Sequence, residues 1–145
     1  MLKEEDKDNL KGIRFCPVLQ KGVDDTFERI YYRAPAIFID KKDRYLKVVV
    51  STSDMSNQPA GETLNSLGRI QLQRWTHIVV TFKDKVLKLY LNGVLDNQIK
   101  TVGNMMPNNM PLFLGNTPWH KEDCNVASMV DELRLYSTVL SDDYI

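Results

Sequence analysis

The fold is decided by residues 75–93, which read WTHIVVTFKDKVLKLYLNG. Apolar, aromatic and β-branched side chains alternate with a period of two in Trp75–Lys83 and again in Val86–Asn92, as is typical of strands. The short link through Asp84 joins the two runs as an antiparallel hairpin. Asn92-Gly93 ends the second strand, because glycine tolerates a positive φ. The stretch therefore predicts a β-hairpin.

Similar short apolar runs, separated by Gly and Pro turns, occur along the rest of the chain. They predict seven further strands: Ile13–Gln20, Ala36–Asp40, Tyr45–Thr52, Leu67–Leu72, Gln98–Val102, Pro111–Gly115 and Val126–Tyr136. The one hint of a helix is a turn over Leu140–Ile145. About nine short strands are typical of an all-β sandwich or barrel. We predict one β domain over 13–145, preceded by a charged tail or loop over 1–12.

Length and charge exclude several classes of protein. The 145 residues fit one domain, and 19 Lys+Arg against 19 Asp+Glu give a formal net charge of zero. Because nucleic-acid binding depends on many basic phosphate contacts, we expect no nucleic-acid partner. No run approaches the roughly 18 apolar residues of a membrane span, and no apolar signal core follows Met1. We expect no membrane insertion, and a start that is either cytosolic or cut from a longer precursor.

The hairpin resembles the central hairpin of concanavalin A-like, laminin G-like jelly rolls, whose pattern is W-x-H-hydrophobic-x-x-T followed by L-x-L-Y-hydrophobic-N-G. Two later stretches resemble strands of the same family: PLFLGN at 111–116 and VDELRLYSTVLS at 130–141. The resemblance covers about Ile70–Tyr144, and it is looser in the N-terminal half. The family's usual first strand, with an F-D-G segment, is not found. The resemblance implies a two-sheet antiparallel jelly-roll sandwich.

The same motifs imply structural roles for several residues. Tyr90, Asn92 and Gly93 match the second strand of the family's hairpin, and Glu132 matches its closing strand. Trp75 matches the first strand, and we expect it to pack in the core or to buttress the hairpin. His77, on the same strand face, is expected to be structural.

Family members are commonly recognition modules for glycans or proteins at cell surfaces or in matrix, usually within larger proteins. Some related sandwiches are glucanases, and retaining enzymes of that kind need two carboxylates about 5–5.5 Å apart. The E-x-D-x-x-E strand of those enzymes is absent; the nearest string, EEDKDN at 4–9, lacks its final Glu. We therefore predict a non-catalytic module that binds a carbohydrate or glycoconjugate, within a larger multidomain protein. The alternative is a protein–protein adhesion or scaffolding domain, and a glycoside hydrolase is the remote alternative.

Asp131 is the polar residue with the most informative position. The alternation in Val126–Tyr136 places it on an apolar face, and a buried charge needs a partner. That partner is either an Arg or backbone N–H group, or a structural Ca²⁺, which prefers carboxylate and carbonyl oxygens. Calcium is what the resemblance implies. Asp24 and Asp25 follow a glycine in a loop and are either rim carboxylates for calcium or solvated turn residues.

Two aromatic stretches are candidates for ligand binding. Trp119-His120 follows Pro118 between two predicted strands, where an exposed indole stacks on a sugar or anchors a protein contact. The alternative is a Trp119 ring folded over the edge of the core. Tyr31-Tyr32-Arg33 offers a second surface of aromatic rings with an arginine.

The sequence contains two cysteines, Cys16 and Cys124, too few with two histidines for a zinc site. They either pair or are two buried thiols. The resemblance favours an extracellular or cell-surface location, although this chain shows no signal peptide.

Overall fold

The computed structural model of the chain describes residues 15–115, 117–119 and 133–134. Within them it contains ten strands and no helix. The strands are β1 Phe15–Lys21, β2 Asp24–Asp25, β3 Ile30–Tyr31, β4 Ala36–Asp40, β5 Tyr45–Val50, β6 Glu62–Arg69, β7 Ile78–Lys83, β8 Val86–Leu91, β9 Val94–Lys100 and β10 Leu112–Leu114. The all-β prediction is confirmed.

The strands form two main sheets in which every neighbouring pair is antiparallel. One sheet has five strands in the order β10-β1-β4-β5-β6, and the other has three in the order β7-β8-β9. The short strands β2 and β3 form a separate hairpin. The chain crosses between the main sheets twice, from β6 to β7 and from β9 back to β10.

The predicted hairpin is β7 with β8, paired from Ile78↔Leu91 to Lys83↔Val86. Asp84 and Lys85 have φ values of 52° and 61°, the left-handed conformation that a two-residue hairpin turn matching the strand twist requires. The next turn repeats this geometry at Asn92, with φ 51°, and at the glycine that follows it. The hairpin prediction is confirmed.

The core lies between the two sheets. Leu87 and Leu89 of β8 are fully buried against the inner face of the five-stranded sheet. That face presents the buried aliphatic residues Leu19, Ile37, Leu46, Val48, Val50 and Leu64. Burial of apolar surface drives this face-to-face packing, which makes the structure a sandwich.

The opposite face of the five-stranded sheet carries a second, smaller apolar cluster. Ala36, Phe38 and Val49 are buried there, with Phe15 packed against them. The Lys47 ammonium lies 4.8 Å from the centroid of the Phe15 ring, a cation–π contact. Burial lowers the pKa of Lys47, and the nearby Arg33 charge lowers it further.

The prediction of a strand over Leu67–Leu72 is wrong in its position, because β6 occupies Glu62–Arg69. Two inward positions of β6 are polar, so the strand lacks the apolar pattern that would have marked it. Glu62 is buried and accepts hydrogen bonds from the Thr52 hydroxyl and from the backbone N–H of Val102. Ser66 is also buried, and its hydroxyl accepts a hydrogen bond from the Leu46 N–H.

Other boundaries also differ. β9 begins at Val94, four residues before the predicted strand over Gln98–Val102, and β7 begins at Ile78 rather than at Trp75. The tail over 1–12, the turn over Leu140–Ile145 and all but two residues of the strand over Val126–Tyr136 lie outside the described residues.

Cys16 is fully buried in β1 and is disulfide-bonded. The sequence contains one other cysteine, Cys124, which lies outside the described residues. The described residues contain no helix that is long and apolar enough to cross a membrane.

Replacing Leu89 by Ala should lower the free energy of unfolding by about 2–5 kcal/mol, because it leaves a cavity between the sheets. Leu95→Ala is the matched control, since Leu95 of β9 is 42% exposed, and we expect a loss below about 1 kcal/mol. Urea denaturation measures both. Equal losses for the two variants would contradict a core centred on β8.

Candidate functional site

Asp24, a candidate calcium ligand, is paired with Arg33, a candidate ligand-binding residue. The Arg33 guanidinium donates from Nη2 to Asp24 Oδ2 at 2.8 Å and from Nε to Asp24 Oδ1 at 3.1 Å. Gln20 Nε2 also donates to Asp24 Oδ1, at 2.9 Å. The carboxylate is buried, so Asp24 is neither a solvated turn residue nor an open rim ligand. In this structure Asp24 is thus the buried partner of Arg33, and a calcium-binding role for it stays a prediction.

Arg33 joins three parts of the fold. Its guanidinium carbon lies 5.0 Å from the centroid of the Tyr31 ring and 5.3 Å from that of Phe38, and Nη1 donates to the Ala60 carbonyl at 3.0 Å. These contacts fasten the β2–β3 hairpin to the five-stranded sheet. Within the predicted surface of Tyr31, Tyr32 and Arg33, the arginine is engaged within the fold and both tyrosines are half-buried, and a ligand-binding role for this surface stays a prediction.

Asp25 is an exposed turn residue. Its Oδ1 accepts hydrogen bonds from the backbone N–H groups of Phe27 at 3.1 Å and Glu28 at 3.0 Å, a turn in which the aspartate side chain caps the following amides. In the part of the chain that the structure describes, no three His, Cys, Asp or Glu side chains gather as a metal site. Asp24 is engaged by Arg33 and Asp25 by the turn, and the third calcium candidate, Asp131, lies outside the described residues.

The Trp119 ring packs edge-to-face on Phe113 of β10, with the ring centroids 5.1 Å apart and an interplanar angle of 84°. The residue is half-buried, and its indole Nε1 is buried without a hydrogen-bond acceptor among the described residues. This arrangement matches the alternative in which Trp119 folds over the edge of the core. Its neighbour His120 lies outside the described residues, as does Glu132.

Trp75 is 66% exposed, so of its two expected roles, packing in the core and buttressing the hairpin, the structure rules out the first. Residues 70–77 are not part of a strand; they form the crossover from β6 in one sheet to β7 in the other. Gln73 has a left-handed φ of 56° within this crossover. The alternation that would have turned the indole inward therefore does not begin until Ile78.

Trp75 lies in an open groove of about 310 Å³ at this end of the sandwich. The lining residues come from the end of β6, the crossover and the end of β8; they are Arg69, Gln71, Arg74, Trp75, Thr76, Leu91 and Asn92. We call this set the crossover groove. Its side chains include an indole, two guanidinium groups and two primary amides, and none of them is acidic.

Two side chains of the crossover groove are held in place by their neighbours. Arg69 Nε donates to the Tyr45 hydroxyl at 3.0 Å, and its guanidinium carbon lies 5.1 Å from the centroid of the Tyr45 ring. The hydrogen bond from Arg69 to this hydroxyl raises the pKa of the arginine. Asn92 Oδ1 accepts a hydrogen bond from the His77 N–H at 3.0 Å, and Asn92 N donates to the His77 carbonyl at 2.8 Å.

The crossover groove and the Arg33–Asp24 pair lie at opposite ends of the sandwich. Arg69 ends β6, whereas Ala60, which Arg33 contacts, directly precedes Gly61 and the start of β6. Eight residues of strand span roughly 23 Å at about 3.3 Å per residue. Asp24 and Arg33, which the sequence offered as candidates, therefore lie about the length of β6 away from the crossover groove. The stretch QLQR at 71–74 offered a weak local signal, because three of its four residues are polar.

A laminin G family model, described as "Concanavalin A-like lectin/glucanases superfamily", matches residues 31–145. The chain belongs to this superfamily, and its two antiparallel sheets are a jelly-roll sandwich of that type. Tyr90 is buried, and Asn92 and Gly93 form a tight turn with positive φ values. Both observations agree with the structural roles expected of these residues.

Among solved structures, the chain is similar to an S-layer domain-containing protein from Clostridium thermocellum ATCC 27405, with 18% sequence identity and a TM-score of 0.43. The match covers 91% of this chain and 61% of that chain. The present chain thus spans less than two thirds of the length of that solved chain. No curated protein matches it.

Replacing Asp24 by Asn should lower the free energy of unfolding by about 3 kcal/mol, because it leaves the Arg33 guanidinium without its buried counter-charge. Asp25→Asn is the control at the adjacent, exposed position, with an expected loss of about 0.5 kcal/mol or less. Chemical denaturation compares the two. A loss for Asp24→Asn no larger than that of the control would show that the pair does not hold the hairpin.

Proposed function

We propose that the chain is a carbohydrate-binding recognition module and that the crossover groove is its binding site. The observation that carries the proposal is the exposure of Trp75 between hydrogen-bonding side chains. An exposed indole stacks on the apolar C–H face of a sugar ring. Amide and guanidinium groups around such a ring bond the hydroxyl groups at its edge, and these polar contacts provide specificity.

The fixed side chains support this function because they reduce the entropy lost on binding. Asn92 is held by His77, and Arg69 is held by Tyr45. The Trp75 side chain has only two rotatable bonds and a large contact area, so it loses little conformational entropy when it binds. A groove built this way can bind a saccharide with little rearrangement. Membership of a superfamily named for lectins agrees with such a ligand.

We propose that binding occurs without catalysis. Hydrolysis of a glycoside with retention or inversion needs two carboxyl groups around the scissile bond. Among the described residues that line the crossover groove, none is acidic. Release of reducing ends from a polysaccharide that binds in the groove would favour the glycoside hydrolase alternative.

Protein–protein adhesion remains the second candidate function, and one observation favours it. Phe27, at the tip of the β2–β3 hairpin, is 91% exposed. Asp25 caps the two backbone amides at this tip and so presents the ring on an ordered turn. An exposed aromatic residue of this kind can anchor a protein contact.

The prediction for glycan binding concerns Trp75→Ala. On a glycan array and by calorimetry, we expect loss of binding by at least about tenfold, because the stacking surface is removed. The melting temperature should change little, since the side chain is exposed. Trp119→Ala is the matched control: it should lower stability by loss of the Phe113 contact while leaving affinity unchanged. Binding that depends on Trp119 and not on Trp75 would contradict the site.

The disulfide at Cys16 supports an extracellular or cell-surface location, because disulfides persist in oxidising compartments. Cys16→Ala should cost about 2–5 kcal/mol of stability, measured by thermal or urea unfolding. The control is a reductant, which should lower the melting temperature of the natural protein and leave that of Cys16→Ala unchanged. A reductant with no effect on the natural protein would contradict a stabilising disulfide.

A further inference from the structure

The turn between β8 and β9 holds the one Asn-Gly pair in the sequence, Asn92-Gly93. Both residues are exposed, and their φ values of 51° and 80° place them in a left-handed turn. Gly93 has no side chain that shields its own backbone nitrogen. Bonding of this nitrogen to Cγ of the preceding asparagine closes a five-membered ring. The turn therefore exposes two groups that are suited to react with each other.

Two features of the fold favour that reaction. The Gly93 N–H donates to no residue that the structure describes, so its proton is open to removal by solvent. The His77 N–H donates to Asn92 Oδ1 at 3.0 Å. Attack at Cγ places negative charge on this oxygen, and a hydrogen-bond donor that is already in place stabilises such charge. The turn thus combines an accessible nucleophile with an activated carbonyl group.

We propose that Asn92 is a modification site, at which the asparagine converts spontaneously to aspartate and isoaspartate in the folded protein. The Gly93 nitrogen forms a bond with Asn92 Cγ, and the bond from Cγ to Nδ2 breaks. The Gly93 amide loses its proton, Nδ2 gains one, and ammonia leaves. Water then opens the succinimide ring at either carbonyl carbon. No oxidant or reductant takes part, because the reaction only exchanges ammonia for water.

Asn57 lacks this combination, although it is also exposed. Its side-chain Nδ2 donates to Asp54 Oδ1 at 3.0 Å. The next residue along the chain is Gln58, whose backbone N–H donates to the Asp54 carbonyl at 2.9 Å. The nitrogen that would attack Asn57 Cγ is therefore hydrogen-bonded and belongs to a residue with a side chain.

Asn97 of β9 lacks it as well. Its Nδ2 donates to the Asn65 carbonyl at 2.8 Å, and its Oδ1 accepts a hydrogen bond from the Gln98 N–H at 2.9 Å. The residue is half-buried within a paired strand. Asn57 and Asn97 are thus matched controls inside the same molecule, one in a turn and one in the same hairpin as Asn92.

Conversion changes the crossover groove, because Asn92 is one of its lining residues. Aspartate lacks the two N–H donors of the amide and brings a negative charge into a groove that Arg69 and Arg74 also line. Isoaspartate adds one carbon to the backbone of the turn, which breaks the paired hydrogen bonds between Asn92 and His77. The modification does not depend on the proposed function, whereas its effect on ligand binding does.

The test incubates the folded full chain at mildly alkaline pH and follows each asparagine by peptide mass spectrometry. Asn92 should convert at least about tenfold faster than Asn57 and Asn97, because attack is fastest where the reacting groups are accessible and oriented. Both products, aspartate and isoaspartate, should appear. A parallel sample in urea gives the rate without the fold.

Three variants separate the contribution of the turn from that of its sequence. Asn92→Gln keeps an amide but requires a larger ring, so conversion at position 92 should stop. Gly93→Ala places a methyl group beside the attacking nitrogen and should slow conversion at least about fivefold. Gln58→Gly puts a glycine after Asn57, yet Asn57 should still convert more slowly than Asn92, since the nitrogen at position 58 is hydrogen-bonded. Melting temperatures show whether each variant is folded.

The outcomes keep this inference distinct from the proposed function. Conversion of Asn92 in urea but not in the folded chain would overturn the modification site, as would equal rates at Asn92 and Asn57 in Gln58→Gly. Neither measurement needs a ligand, so both stand if glycan binding fails. Where a glycan does bind, Asn92→Asp should change its affinity at least about threefold, the effect of one or more hydrogen bonds. An unchanged affinity would overturn the effect on the groove alone.

Discussion

The structure depends on the packing of β8 against the five-stranded sheet. Leu87 and Leu89 are fully buried where the two sheets meet, and the aliphatic residues of β5 and β6 cover them from the other side. Because apolar burial is the main favourable term in folding, this contact holds the two sheets face to face. Because the chain leaves one sheet after β6 and enters the other at β7, the residues between these strands form a connection and not a strand.

That constraint explains why the two ends of the sandwich differ chemically. At one end, Arg33 is enclosed by two aromatic rings and neutralised by Asp24, so the positive charge serves the fold. At the other end, the crossover over 70–77 places Arg74 and Trp75 in one groove with Arg69, where both are open to solvent on at least one side. The same residue types thus stabilise a hairpin at one end and line the groove that we propose as a binding site at the other.

Local sequence patterns predicted the β7–β8 hairpin because its alternation and its turn residues agree with one another. They failed for β6, where Glu62 and Ser66 point inward and are stabilised by hydrogen bonds instead of apolar burial. They also failed for Trp75, which follows a polar run and lies outside the strand it was assigned to. The failure at β6 occurs where long-range hydrogen-bond partners stabilise inward polar side chains, and the failure at Trp75 occurs where the chain leaves one sheet for the other.

By itself, the sequence determined the all-β class, the central hairpin and the kinship with laminin G-like sandwiches, because alternation and turn chemistry are properties of neighbouring residues. Only the tertiary structure decided that Asp24 pairs with Arg33 across nine positions of chain, that Trp119 packs on Phe113 and that Trp75 faces solvent beside two arginines. Those contacts join residues that are distant in the sequence. They form only when the two sheets pack face to face and the chain crosses from one sheet to the other.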